Sequence, residues 1–142
     1  MCVEMDELKK IALPTILVFA VITIFNIVFH GVFMEKIYNA NSYFFRPHDV
    51  IAKHRYYMWL ANFIYSFAFC YMYSKGHDKK ANNIAQGFRY GIWISLLIWL
   101  PDAIINYTIY PFPKTLVLKW LAGYTLQSLL AGMTASTTYN KV

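Results

Sequence analysis

Four stretches along the chain are apolar enough to be read as membrane-crossing helices, and polar or turn-forming residues separate them. The first runs from about Ile11 to Phe33, between Lys9–Lys10 and Glu35–Lys36. At 1.5 Å per residue it can cross a hydrocarbon layer about 30 Å thick. The second, about Tyr56 to Ser74, lies between the basic residues Lys53 and Arg55 and Lys75. The third, about Gly87 to Tyr110, ends at "YPFPK", where Pro111 and Pro113 predict a tight exit. The fourth, about Thr115 to Tyr139, comes at once, so the last two spans are expected to be antiparallel neighbours. The expected fold is an all-α integral membrane four-helix bundle, a single transmembrane domain over residues 1–142.

Between spans 1 and 2 lies the longest break, "MEKIYNANSYFFRPHDVIAKHR". It keeps Ile37, Tyr38, Tyr43, Phe44 and Phe45 among its polar residues, which predicts a short interfacial segment lying on the membrane surface. Pro47 restarts the chain, and Asp49 is expected to cap a helix leading into the second span. Tyrosine and tryptophan cluster at span ends: Tyr56, Tyr57 and Trp59, then Tyr71 and Tyr73, Tyr107 and Tyr110, Trp120 and Tyr139. Such rings read as interfacial belts in contact with membrane lipids.

Composition agrees with this reading. Of 142 residues, 58% are hydrophobic and 14% charged, against about 25% charged in a soluble domain. The N-terminal "MCVEMDELKK" carries three acids, and no small-residue cleavage site comes after it, so the first span is read as a retained anchor. The net charge of +6 suits anionic headgroups; its basic residues are scattered over the loops and form no stripe for nucleic acid. Lys9, Lys10, Lys75, Lys79, Lys80, Arg89 and Lys141 fall on one side, against Lys36, Arg46, Lys53, Arg55, Lys114 and Lys119. That slight excess leans to cytoplasmic termini.

Polar and small residues inside the spans are the candidates for chemistry or packing. Ser95, Trp99, Asp102 and Asn106, spaced i, i+4, i+7 and i+11, are predicted to share one face of the third helix with Gly87 and Gly91. Asp102 is the one acid within a span. An uncompensated charge at bilayer depth costs about 2.5–3.5 kcal/mol, so Asp102 is expected to face the bundle or approach the interface. There it could reach water, Lys114 or Lys119. Pro101 adds a kink beside it.

His30 in the first span, with Asn26 one turn earlier, could offer an imidazole to haem iron. The other histidines, His48, His54 and His77, lie in loops, so no second span supplies an axial partner, and hydrogen bonding to a neighbouring helix is the expected role. In the fourth span Ser128, Gly132 and Ser136 form a small-residue ladder, with Gly123 and Gln127 on an adjacent face. Such ladders let helices approach closely, within one chain or between subunits.

No phosphate loop, paired-carboxylate site, nucleophile elbow or metal-binding cysteine pair appears, so the chain is read as non-enzymatic. "FHGVFMEKIY" (Phe29 to Tyr38), "GFRYGIWISLLIWLPDAIINYTIYPFP" (Gly87 to Pro113) and "WLAGYTLQSLLAGMTASTTY" (Trp120 to Tyr139) resemble small four-span bacterial membrane proteins of uncharacterised function. The resemblance implies a bacterial inner-membrane architecture and transfers no activity. Small multidrug-resistance transporters share the length and span number, but their coupling acid lies in the first helix, where this chain has none.

Two functions stand as expectations. The first is a non-catalytic structural or accessory subunit, packing against other membrane subunits or against itself. The alternative is a bundle that binds or transports a small molecule, proton or cofactor through Asp102, Asn106, His30 and Asn26.

Overall fold

The computed structural model describes residues 2–78 and 83–139; Lys79, Lys80 and Lys141 lie outside them. Among the described residues the chain is all-helical. Helix α1 (Cys2–Val28) runs into a π-helical turn at Phe29–Phe33. Two short helices come next, α2 (Glu35–Ala40) and α3 (His48–Lys53), before α4 (Arg55–Gly76). Helix α5 (Asn83–Ile94) passes through a second π turn at Ser95–Trp99 into α6 (Leu100–Ile109), and α7 (Lys114–Tyr139) closes the fold. Two continuous helical stretches, Leu8–Phe33 and Asn83–Ile109, are long and apolar enough to cross a membrane.

Helix α7 is the central element. It packs against α1 on one side and α5 on the other, while α4 lies mainly against α1. Its sequence explains the position, because buried residues occupy adjoining stripes: Leu116, Gly123 and Gln127, then Val117, Ala131 and Ala135, then Ser128, Gly132 and Ser136. The apolar core takes Ile11, Val18 and Ile22 from α1, Phe69, Cys70 and Tyr73 from α4, and Ile94 from α5. The remaining faces of α4 and α6 turn large apolar side chains outward, among them Trp59, Leu60, Phe63 and Ile64, and Ile104, Ile105 and Ile109.

Glycines set the α5–α7 contact. A Cβ added at Gly87 would collide with the carbonyl oxygen of Gly132, one at Gly132 with that of Gly87, and one at Gly91 with the Ser128 carbonyl. Gly123 plays the same part toward α1, where the Phe29 ring occupies the space a side chain would fill.

Two expectations need correction. The predicted single face from Gly87 to Asn106 breaks at the second π turn. Gly87, Gly91 and Ser95 are buried against α7, but Asp102 is exposed. Proline has no N–H to continue the ladder, so Pro101 donates nothing back, and the Leu100 N–H bonds five residues back, to Ser95 O. The extra residue in that turn rotates α6 by roughly 100° relative to an uninterrupted α-helix. Asp49 also does not cap: α3 starts after Pro47 without a side-chain cap bond, and Asp49 stands within its first turn. A carboxylate there still favours the positive end of the helix dipole.

Candidate functional site

Polar side chains from all the long helices meet in a hydrogen-bonded belt across the bundle. Between α1 and α4, Asn26 Nδ2 donates to Asn62 Oδ1 at 3.3 Å, and Asn62 Nδ2 to Thr23 Oγ1 at 3.4 Å. Ser66 Oγ returns to the Asn62 carbonyl at 2.7 Å. On α7, Ser128 Oγ accepts from Trp99 Nε1 at 2.9 Å and shares a bond with the Tyr65 hydroxyl at 3.1 Å. Ser95 and Thr125 hydroxyls pair at 2.6 Å. A hydroxyl can donate and accept at once, which lets Ser128 join α4, the second π turn and α7 at one atom. Asn26 Oδ1 and Gln127 Oε1 are buried without a partner among the described residues.

A second group forms where the first π turn hands over to α2. The turn holds Met34 N–H on Phe29 O at 3.0 Å, and the chain then folds back so that Tyr38 meets His30. The Trp120 indole N–H donates to the Tyr38 hydroxyl at 2.8 Å. Indole can only donate, so the Tyr38 oxygen accepts from Trp120, and the Tyr38 hydroxyl shares a second bond with His30 Nδ1 at 2.5 Å whose direction follows the imidazole tautomer. With its hydrogen on Nε2, His30 accepts from Tyr38; with it on Nδ1, His30 donates. Burial raises the Tyr38 phenol above its usual range, while the Trp120 bond works the other way. Among the described residues, no three His, Cys, Asp or Glu side chains are placed to hold a metal.

Aromatic rings join the two groups. Tyr124 lies 5.9 Å from His30 and stacks on Trp99 at 4.4 Å; Trp99 is 6.0 Å from Tyr65. The row continues through Phe69, Tyr90 and Tyr73 in steps of 5.5, 4.8 and 5.3 Å. At its far end the Tyr73 hydroxyl donates to Gln86 Oε1 at 2.6 Å, and His77 Nδ1 to the same oxygen at 2.7 Å.

The candidate set from sequence therefore divides. Asn26 enters the belt and His30 enters the Tyr38–Trp120 group, whereas Asp102 and Asn106 join neither by a hydrogen bond. Asn106 Nδ2 donates to the Asp102 backbone carbonyl at 2.9 Å. The Asp102 carboxylate is exposed, pairs with neither Lys114 nor Lys119, and makes no hydrogen bond among the described residues. It lies within electrostatic range of the Tyr124 hydroxyl. The sequence pattern assigns Trp120 to a membrane belt and does not single out Tyr38, Tyr65 or Tyr124 as site residues. Tyr38 carries no spacing signal toward His30, because the chain reverses between them.

Searches of protein-family models, curated proteins and solved structures give no match to the chain.

Proposed function

We propose that the chain is a four-span integral membrane protein that works without catalysis, as an accessory subunit assembling with other membrane subunits or with itself. The proposal includes an inner-membrane location with both termini cytoplasmic. The observation that carries it is Asp102, an exposed carboxylate without a partner among the described residues, on a helix whose neighbours Ile104, Ile105 and Ile109 also face outward. Asp102 lies seven residues before the end of α6, about 10 Å along the helix axis. An unpaired carboxylate facing lipid costs up to about 2.5–3.5 kcal/mol, the figure for the bilayer centre. A hydrogen-bond donor from another subunit removes that cost, and the outward apolar side chains of α6 supply the surrounding contact. The internal small-residue contacts are already occupied by α5 and α7, which leaves this outer face for assembly.

Native mass spectrometry on gently extracted protein tests the reading. Wild type should run as a larger complex. Asp102→Asn, which can still accept a hydrogen bond, should preserve it, and Asp102→Leu should dissociate it. A wild-type monomer would overturn the proposal.

A second reading has one observation in its favour: the group around His30 continues through Tyr124 to Trp99, three residues before Asp102. A proton-linked or small-molecule-binding role would require the titrating carboxylate, so Asp102→Asn would abolish function while leaving assembly intact.

A further inference from the structure

We propose that the elbow between α3 and α4 binds the phosphate of an anionic phospholipid. A cavity of about 290 Å³ opens there, lined by Arg46, Val50, Ile51, His54, Tyr57 and Met58. Its lining divides by chemistry into a cationic lip and an apolar floor.

His54 is the residue between the two helices. Its Nδ1 lies 2.8 Å from the Val50 carbonyl oxygen, which can only accept, so Nδ1 carries a hydrogen and donates it. The imidazole also lies nearly parallel to the Tyr57 ring, at 11° and 6.1 Å between centroids. These contacts orient the ring and leave Nε2 uncommitted. Arg46 comes from the extended backbone at Phe45–Pro47. Its guanidinium makes no hydrogen bond or ion pair among the described residues. An unengaged guanidinium presents a planar fork of donors that matches phosphate oxygens two at a time. Asp49, nearby in α3, does not occupy it.

The floor selects between phosphate sources. Inorganic phosphate would use Arg46 and His54 and leave Val50, Ile51 and Met58 idle. A phospholipid uses both parts, with its phosphate at the lip and its first methylenes along Ile51 and Met58. Lys53 and Arg55 flank the elbow and add positive potential, which draws anionic lipid over zwitterionic lipid. The assignment rests on the membrane-embedded reading above, which sets this elbow at the foot of α4, at the bilayer surface.

The test uses full-length protein extracted from membranes into a neutral detergent and titrated with phosphatidylglycerol or phosphatidylcholine. Lipid retention is read by native mass spectrometry. Wild type should hold phosphatidylglycerol roughly tenfold more tightly than phosphatidylcholine. Arg46→Ala with His54→Ala should remove most of that preference, roughly a tenfold loss. Arg46→Ala alone, which breaks no hydrogen bond of the fold, should show the larger share. Arg89→Ala, at the opposite end of the bundle, should change nothing. An equal loss in Arg89→Ala would reduce the effect to diffuse charge and overturn the site. Displacement of phosphatidylglycerol by millimolar inorganic phosphate would assign the lip to free phosphate and overturn the lipid. Recovery of the protein in buffer without detergent would overturn the membrane reading itself, whereas loss of preference in membrane-extracted protein overturns the elbow alone.

Discussion

Replacing Gly132 with alanine sets two effects of known sign against each other. The added methyl favours the helix by about 1 kcal/mol, because glycine is that much poorer than alanine in a helix interior. At Gly132, however, the new carbon falls on the Gly87 carbonyl oxygen, which is backbone and cannot rotate away. Carbon–oxygen contacts settle at about 3.3–3.6 Å, so from 2.1 Å the two backbones must part by about 1.2–1.5 Å along that contact. Overpacking of this kind costs about 1–3 kcal/mol. The shift also strains the Ser95–Thr125 and Trp99–Ser128 bonds, now 2.6 and 2.9 Å, each worth about 1 kcal/mol. The net result is a loss of about 2 kcal/mol, or roughly 6–8 °C in the melting midpoint of a chain this size. Gly76→Ala is the control: a Cβ there meets nothing within 4 Å and the residue closes α4, so the midpoint should barely move. Thermal melting by circular dichroism, in one detergent, reads both variants. If Gly132→Ala leaves the midpoint unchanged or raises it, the backbone contact between α5 and α7 does not exist.

Other consequences can be measured on the same material. Tyr38→Phe removes the oxygen that accepts from Trp120 and is bonded to His30; it should cost about 1–3 kcal/mol and shift the Trp120 fluorescence, and an unchanged spectrum would refute the triad. Because burial holds the Tyr38 phenol above its usual range, the native state keeps that proton more tightly than the unfolded chain. Its stabilising contribution is therefore full below about pH 10 and falls as pH rises further. A 295 nm titration should show a late-ionising tyrosine that Tyr38→Phe deletes. Cys70, 1% exposed, should resist thiol reagents until the bundle unfolds; fast labelling of the native protein would contradict its place in the core.

The all-helical class is legible in the sequence because long apolar runs bounded by Lys, Pro and Gly leave few alternatives. Small residues four apart, such as Ser128, Gly132 and Ser136, are equally readable, since their meaning depends on one helix surface. The features that stay hidden depend on more than one element. The outward turn of Asp102 results from Pro101 acting on the hydrogen bonds of the turn before it, and no periodicity count at 3.6 residues can include that. The pairing of His30 with Tyr38 depends on a chain reversal, and the joint role of Ser128 depends on Trp99 and Tyr65 arriving from two other helices. Asn26, a candidate for its position beside His30, instead answers to Asn62 across the α1–α4 interface.

The π turn at Ser95–Trp99 makes α5 and α6 two independently phased halves of one rod. Removing a single codon within it would close the turn to ordinary α-helix and leave both the Gly87–Gly132 crossing and the outward aim of Asp102 in place, because the deletion removes the residue the turn absorbs; Pro101→Ala, which restores the missing N–H and lets the turn close at full length, would swing Asp102 by roughly a quarter turn toward α7. The direction in which this protein presents the one acid of its apolar segments is thus set by a single residue absorbed at one spot and by the proline that holds that turn open.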